Sequence, residues 1–451
     1  MRFDESLAAF VAALLPILNK ETLETGWIIR DASGRLAFIA DKALSADERS
    51  QAAIAVKTSL GEYCRESGCV FDNEQPGIQS VIESARVFTE TINNVAVRLI
   101  DRRIVGQDWL IEPAPGWQPP APARWVFASL KGGVGRSTAL AVAATELARQ
   151  GRKVLAVDLD LEAPGLGTLL IEESDKPKYG VLDWYVEQGI GSIPEEENNE
   201  FLGDMVAPSP FGRGKGLIDV VPAIGRISDD YPGNVLAKLA RAYLDLPQEV
   251  GQSLGFLDRT QKLIDELASR RQYDAVLVDA RAGLNESTAA AILGLGADVL
   301  LFGVDTPQTF AGYRYLLAHL KKFIKPDDDD WWLRLRMVHA KASPDERRKQ
   351  GFRDKAYRIF SESLYQDRPI LDNDDNPLLS GISEPIYTQM FDVDSREAPH
   401  YAWPILDDSN YAEFDPLAER VQMDEGFYGR TFAGLVEGIG ELIEFRENTS
   451  E

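Results

Sequence analysis

An α/β fold with a doubly wound, mostly parallel sheet, preceded by a separate small α+β domain, is predicted from three observations. From residue 124 onward, short runs of Val, Leu and Ile alternate with helix-patterned stretches, the mark of parallel strands covered on both faces. Residues 112–123 hold five prolines, which stiffen the backbone, remove donors and divide the chain in two. Residues 131–138, Lys-Gly-Gly-Val-Gly-Arg-Ser-Thr, make a glycine-rich turn between an apolar run and a helical one. At 451 residues the chain is long enough for two or three such domains.

Residues 1–111 read as the small domain. Apolar residues recur at helical spacing over 5–18. The runs 26–30 and 36–39 flank Asp31-Ala32-Ser33-Gly34-Arg35, a hairpin turn. Helices are expected at 46–65 and 77–90, and a second extended pair at 95–100 and 108–111. No catalytic constellation falls in this domain, so partner binding or regulation of its neighbour is expected of it. Residues 112–123 are the semi-rigid linker, and 124–451 form the larger domain. There, strands are expected at 125–129, 154–158, 217–221, 275–279, 298–303 and 333–339, with a helix at 138–150. Polar loops are expected at 195–200 and 325–330, and a helical insertion at about 172–255. The C-terminal region is acidic, with 28 Asp and Glu against 14 Lys and Arg in 326–451.

Composition narrows the function classes. Hydrophobic residues at 44% and charged residues at 27% are ordinary for a soluble globular chain. Uninterrupted apolar runs fall short of the roughly 18–20 residues that cross a bilayer. Acids at Asp4 and Glu5 stand where a secretory leader is basic, so a cytoplasmic location is expected. Cys64 and Cys69 suit reduced thiols, and His319, His339 and His400 lie far apart, so no metal other than Mg²⁺ at a nucleotide is expected. A net charge of −24 argues against non-specific DNA binding, which draws its affinity from Lys and Arg displacing counterions. The basic cluster within 347–358 reads as a solvated helix face.

The chemistry is concentrated at strand ends. A glycine turn between strand and helix points backbone N–H groups, and the positive end of the helix, at one place, which suits phosphate. Gly132, Gly133 and Gly135 let the backbone wrap closely, and Ser137 stands where a hydroxyl would ligate Mg²⁺. The loop departs from G-x-x-x-x-G-K-[ST] at Leu130 and Arg136. The run 154–157 delivers Asp158 and Asp160 to a carboxyl end, and 275–278 delivers Asp279, which is followed by Ala280-Arg281-Ala282-Gly283.

With its leading Lys131, the loop resembles K-G-G-x-G-K-[ST] of the ParA/MinD family of deviant Walker A ATPases, over about 124–340 and more faintly to 445. The resemblance implies a P-loop NTPase fold that binds ATP and Mg²⁺. It implies a nucleotide held by Lys131, Gly132, Gly133, Val134, Gly135, Arg136, Ser137, Thr138 and Gly283, and a metal held by Ser137, Asp158 and Asp279. It further implies that Asp160 orients the attacking water and that Lys131 acts catalytically across a homodimer. The function implied is a slow ATPase whose nucleotide-driven dimerisation signals to a protein partner, through the N-terminal domain or the 172–255 insertion. Arg136 replaces the family's second lysine, and Arg281 replaces the proline of D-x-P-x-G. The strand ending at 337–341 lacks the asparagine that reads adenine, so ATP rests on analogy, while 403–408 resembles the segment bordering the base. A hydrolysis-poor nucleotide-binding scaffold, and an ATP-dependent phosphotransferase or ligase, are the alternatives. Scattered Tyr401, Tyr411 and Tyr428 count against a tyrosine kinase, and the acidic tail 435–451 against membrane cycling.

Overall fold

A computed structural model describes residues 1–65, 68–83, 87–113, 120–212, 214, 216–247, 253–324, 331–365, 368–369, 387–388 and 390–449. The chain divides into two compact units, Met1–Ile111 with Asp245–Leu254, and Glu112–Leu244 with Gly255–Glu451. Residues 114–119 of the expected linker, and the whole of the expected loop at 325–330, lie outside the described residues.

The first unit runs α1 (Phe3–Thr25), β1 (Trp27–Arg30), β2 (Leu36–Ala40), α2 (Ala46–Leu60), β3 (Val70–Asp72), α3 (Ile78–Glu83), β4 (Phe88–Ile92) and β5 (Val95–Asp101). Its sheet has the order β3-β2-β1-β5-β4. The hairpin expected at 26–39 is present, with Trp27 opposite Ile39. Leu7, Phe10, Val11 and Leu14 follow helical spacing along α1 and share a buried core with Val56 and Leu60 of α2. By length and composition α1 could cross a bilayer, yet this apolar face is already buried against protein. Ser45 starts α2 as a capping box: its hydroxyl accepts from the Glu48 N–H at 3.2 Å and Glu48 accepts from the Ser45 N–H at 2.9 Å.

Two expectations fail in this unit. The helix expected at 77–90 is cut to the six residues of α3, and 88–92 is a strand. The turn Asn93-Asn94, with φ of 51° and 62°, folds β4 antiparallel onto β5, because asparagine tolerates the left-handed region that a tight hairpin needs. Residues 108–111 are not a strand; Asp108–Leu110 is a single 3₁₀ turn.

The second unit continues with β6 (Ala123–Ser129), α4 (Arg136–Arg149), β7 (Lys153–Asp158), α5 (Leu166–Leu170), α6 (Val181–Ile190), α7 (Glu195–Gly203), β8 (Ala207–Pro208), β9 (Leu217–Val221), α8 (Arg226–Asp230) and α9 (Val235–Ala242). A two-residue hairpin, β10 (Leu246–Pro247) with β11 (Ser253–Leu254), belongs to the first unit. Then come α10 (Phe256–Ser269), β12 (Ala275–Asp279), α11 (Glu286–Ala289), β13 (Asp298–Gly303), α12 (Pro307–Leu320), β14 (Leu335–Ala342) and α13 (Glu346–Ser363). The short pair β15 (Arg368–Pro369) and β16 (Tyr387–Thr388) precedes β17 (Trp403–Leu406), α14 (Glu425–Tyr428) and α15 (Ala433–Thr449).

Eight strands form one sheet in the order β17-β14-β13-β6-β12-β7-β9-β8. Neighbours are parallel except the short edge strand β8, which runs antiparallel to β9. Chain connections leave β6 in opposite directions, toward β7 on one side and later toward β13, β14 and β17 on the other. That reversal opens a crevice at the strands' carboxyl ends, where ligands of such sheets bind. Trp125, Phe127, Leu140, Ala144, Leu277, Leu300 and Val338 lie in the core that fixes α4 to the sheet. The expected loop at 195–200 is helical: Glu195, Glu196 and Glu197 sit in the first turn of α7, where carboxylates oppose the helix dipole favourably. The 172–255 segment is not purely helical either, since β8 and β9 extend the main sheet. The run expected at 333–339 begins two residues later as β14, after a 3₁₀ turn over Trp331–Arg334.

Candidate functional site

The glycine turn occupies the crevice between the end of β6 and the start of α4. Gly133 and Gly135 have φ of +73° and +87°, a conformation that only glycine takes without strain. Open space extends above the loop, with no atom within 4 Å of where a Cβ would stand on Gly132, Gly133 or Gly135. Among the described residues, the N–H groups of these glycines donate to no protein acceptor, and no side chain caps α4. Unpaired donors and a bare helix N-terminus facing open space constitute an anion site. Lys131 is exposed at the loop's entry, Val134 is buried beneath it, and Ser137 and Thr138 lie in the first turn of α4.

Beneath the loop lies a buried acidic centre built from three adjacent strands. Arg136, only 8% exposed, donates through Nε to Asp279, through Nη1 to the Ser129 hydroxyl at 3.1 Å, and through Nη2 to Asp160 at 2.9 Å. Ser137 Oγ donates to the other oxygen of Asp279 at 2.5 Å. Asp158 is fully buried and accepts from the N–H groups of Asp160 at 3.0 Å, Gly165 at 3.2 Å and Leu166 at 3.1 Å. Burial, together with the Asp279 carboxylate nearby, pushes the Asp158 carboxyl up to about 8. Burial also raises Asp279, against the opposing pull of Arg136. Burial works against the Arg136 cation, but the Asp279 and Asp160 carboxylates outweigh it and hold the group protonated.

Ser137, Asp158 and Asp279, the residues expected to hold a divalent cation, are hydrogen-bonded within the protein in this structure. Asp279 has one oxygen on Arg136 and the other on Ser137, while both Asp158 oxygens are taken by backbone N–H groups. The described residues contain no group of three or more His, Cys, Asp or Glu suited to a metal ion. The Arg136 guanidinium stands between Asp279 and Asp160, paired with both.

The segment after β12 closes one side. Gly283, with φ of +101°, donates its N–H to the Ser129 carbonyl at 2.9 Å, so a phosphate would have to compete for that donor. Arg281 pairs with Glu162 from the segment after β7, and Thr288 Oγ1 donates to the Arg281 carbonyl at 2.7 Å. A π-helical stretch, Ala290–Gly294, follows α11 directly.

On the other side, a cleft of about 360 Å³ runs from Gly133, Val134, Gly135 and Thr138 to the ends of β14 and β17. Lys341, Leu406, Asp407 and Asp408 line it, from the two strand ends that the sequence pointed to. Tyr411, Phe414, Thr431 and Phe432 also line it and were missed. Their only signal in the sequence is aromatic spacing over 411–432, which does not reveal that it folds back onto the loop. Thr431 Oγ1 donates to Asp408 at 2.7 Å and Asp407 N–H to the Ala342 carbonyl at 2.9 Å, fixing the cleft wall.

Residues 125–306 match the family described as the CobQ/CobB/MinD/ParA nucleotide binding domain. A search of curated proteins gave no match. Among solved structures, a ParA family ATPase from Chlorobium tepidum TLS is 20% identical, covering 56% of this chain and 87% of its own, with a TM-score of 0.36. The pNOB8 ParA bound to nonspecific DNA is 17% identical, covering 71% and 99%, with a TM-score of 0.40. MinD from Pyrococcus horikoshii OT3, complexed with Mg-ADP, is 18% identical, covering 71% and 96%, with a TM-score of 0.41.

Proposed function

We propose that this chain, whose residues 125–306 form a nucleotide-binding domain of the CobQ/CobB/MinD/ParA type, is a nucleotide-operated switch in the cytoplasm. The observation that carries the reading is the continuity of the open, glycine-walled loop with the cleft at β14 and β17, one site for phosphates and one for a base. A purine nucleoside triphosphate, ATP by analogy with the family, lays its phosphates on Gly132 to Thr138 and its base between Lys341 and the Tyr411–Phe432 side. Loop N–H groups and the helix end stabilise the negative charge without rearranging. Lys131, exposed at the rim, reaches the phosphates bound by a second copy, so that two nucleotides hold a dimer together. Such a cation supplied in trans is worth about 10³–10⁵ in phosphoryl-transfer rate.

Hydrolysis is slow in this proposal, because Asp160, the group that orients water, is tied to Arg136. A scaffold that binds nucleotide with almost no turnover is favoured by the same ion pair. Phosphate release by the wild type, compared with Asp160→Ala, separates the two. Turnover above background that disappears in the variant supports the switch, and equal background rates support the scaffold. The partner protein is proposed to bind the first unit or the 172–255 segment, and DNA is not proposed as a ligand, given the charge of −24.

A further inference from the structure

We propose that Arg136 is a resident cation that takes the place of a divalent metal, so that the triphosphate binds equally well with and without magnesium. This rests on the nucleotide-binding reading above. The guanidinium is bonded at Nε, Nη1 and Nη2 to three acceptors on three neighbouring strands: Asp279 ends β12, Ser129 ends β6, and Asp160 follows β7. Every oxygen of the three buried carboxylates is engaged. Asp158 takes backbone N–H groups on both, Asp160 takes the Ala163 N–H at 3.2 Å and Arg136, and Asp279 takes Arg136 and Ser137.

A divalent ion at Asp279 would have to share the carboxylate with the Ser137 hydroxyl and the Arg136 Nε–H. It would then lie beside a fixed positive charge in a buried site, where repulsion is weakly screened. Lysine at 136 would present one nitrogen on a flexible stem and could not bind three separate acceptors in one plane. The planar fork carries five N–H donors, and the bonds above use three of them. The positive charge that stands between Asp279 and Asp160 is here supplied from within the chain.

The test is calorimetric titration of the full chain with ATP, once in excess MgCl₂ and once in excess EDTA. The expected wild-type dissociation constants differ by less than about fivefold, whereas Arg136→Lys weakens by about tenfold or more on metal removal. A wild-type loss of about fivefold or more in EDTA overturns the proposal and leaves the nucleotide reading intact. An Arg136→Lys protein as indifferent to metal as the wild type also overturns it. Uptake in neither buffer overturns both. Should Arg136→Lys fail to fold, Mn²⁺ binding followed by electron paramagnetic resonance decides with the wild type alone. The ATP-bound protein is expected to hold Mn²⁺ no more tightly than free ATP does, and tightening by about tenfold overturns the proposal.

Discussion

Arg136 does two things at once, and they can be measured apart. Its removal would strand Asp279 and Asp160 as buried charges without a partner, a loss of about 3–5 kcal/mol by the usual cost of breaking such a pair. Urea unfolding of Arg136→Ala without nucleotide is expected to show a loss of this size, and a change under about 1 kcal/mol would mean the pairing is weak. A second residue gives a pH signature. His339 is buried in β14, stacked on Phe352 with ring centroids 4.0 Å apart, and burial lowers its pKa to about 4. In the unfolded chain it takes up a proton as pH falls through about 6.5, while the folded chain resists until about 4. Its contribution to stability is therefore complete above pH 6.5 and lost as pH falls toward 4, on the order of 3 kcal/mol. Melting curves between pH 7 and 4 should fall less steeply for His339→Leu than for wild type, and parallel curves would remove His339 as the cause. At this scale the loop Lys131 to Thr138 was legible, because a glycine turn is a local grammar. The ties of Arg136 were not, since its partners lie 24 and 143 residues away.

Among elements, the loop and α4 form one device, and Gly135 is its hinge. Alanine there must adopt φ near +87°, which costs about 1–2 kcal/mol in an L-residue, although the Cβ meets no atom. Gly135→Ala is expected to lower stability by that amount and to weaken ATP binding. Unchanged affinity would show that phosphate does not need this backbone shape. The strands β6, β7, β9, β12 and β13 could be read because both their faces are buried, which forces continuous Val, Leu and Ile runs. Three elements escaped for definite reasons. β4 alternates between half-buried and exposed residues and rests on the Asn93-Asn94 turn. β8 is two residues long, too short to carry a pattern. The Glu-rich composition of α7 reads as a loop until its N-terminal charges are credited to the helix dipole.

For the whole molecule, the sequence showed an α/β nucleotide-binding architecture, because glycine turn, strand ends and acids all recur in chain order. It could not show how Tyr411 to Phe432 return to the loop, because that contact is set by packing α15 and β17 on the sheet. The proposed dimer depends on a residue that does nothing for the fold. Lys131 is exposed, so Lys131→Ala should melt like wild type and lose ATP-dependent dimerisation in light scattering. A variant that still dimerises would remove the trans role. The most direct test of the site itself is calorimetry of the purified, folded chain with ATP and GTP, in magnesium and in EDTA. Saturable uptake near one nucleotide per chain, weakened by Gly135→Ala, is expected. Absence of saturable heat with either nucleotide in either buffer would contradict nucleotide binding at the glycine loop.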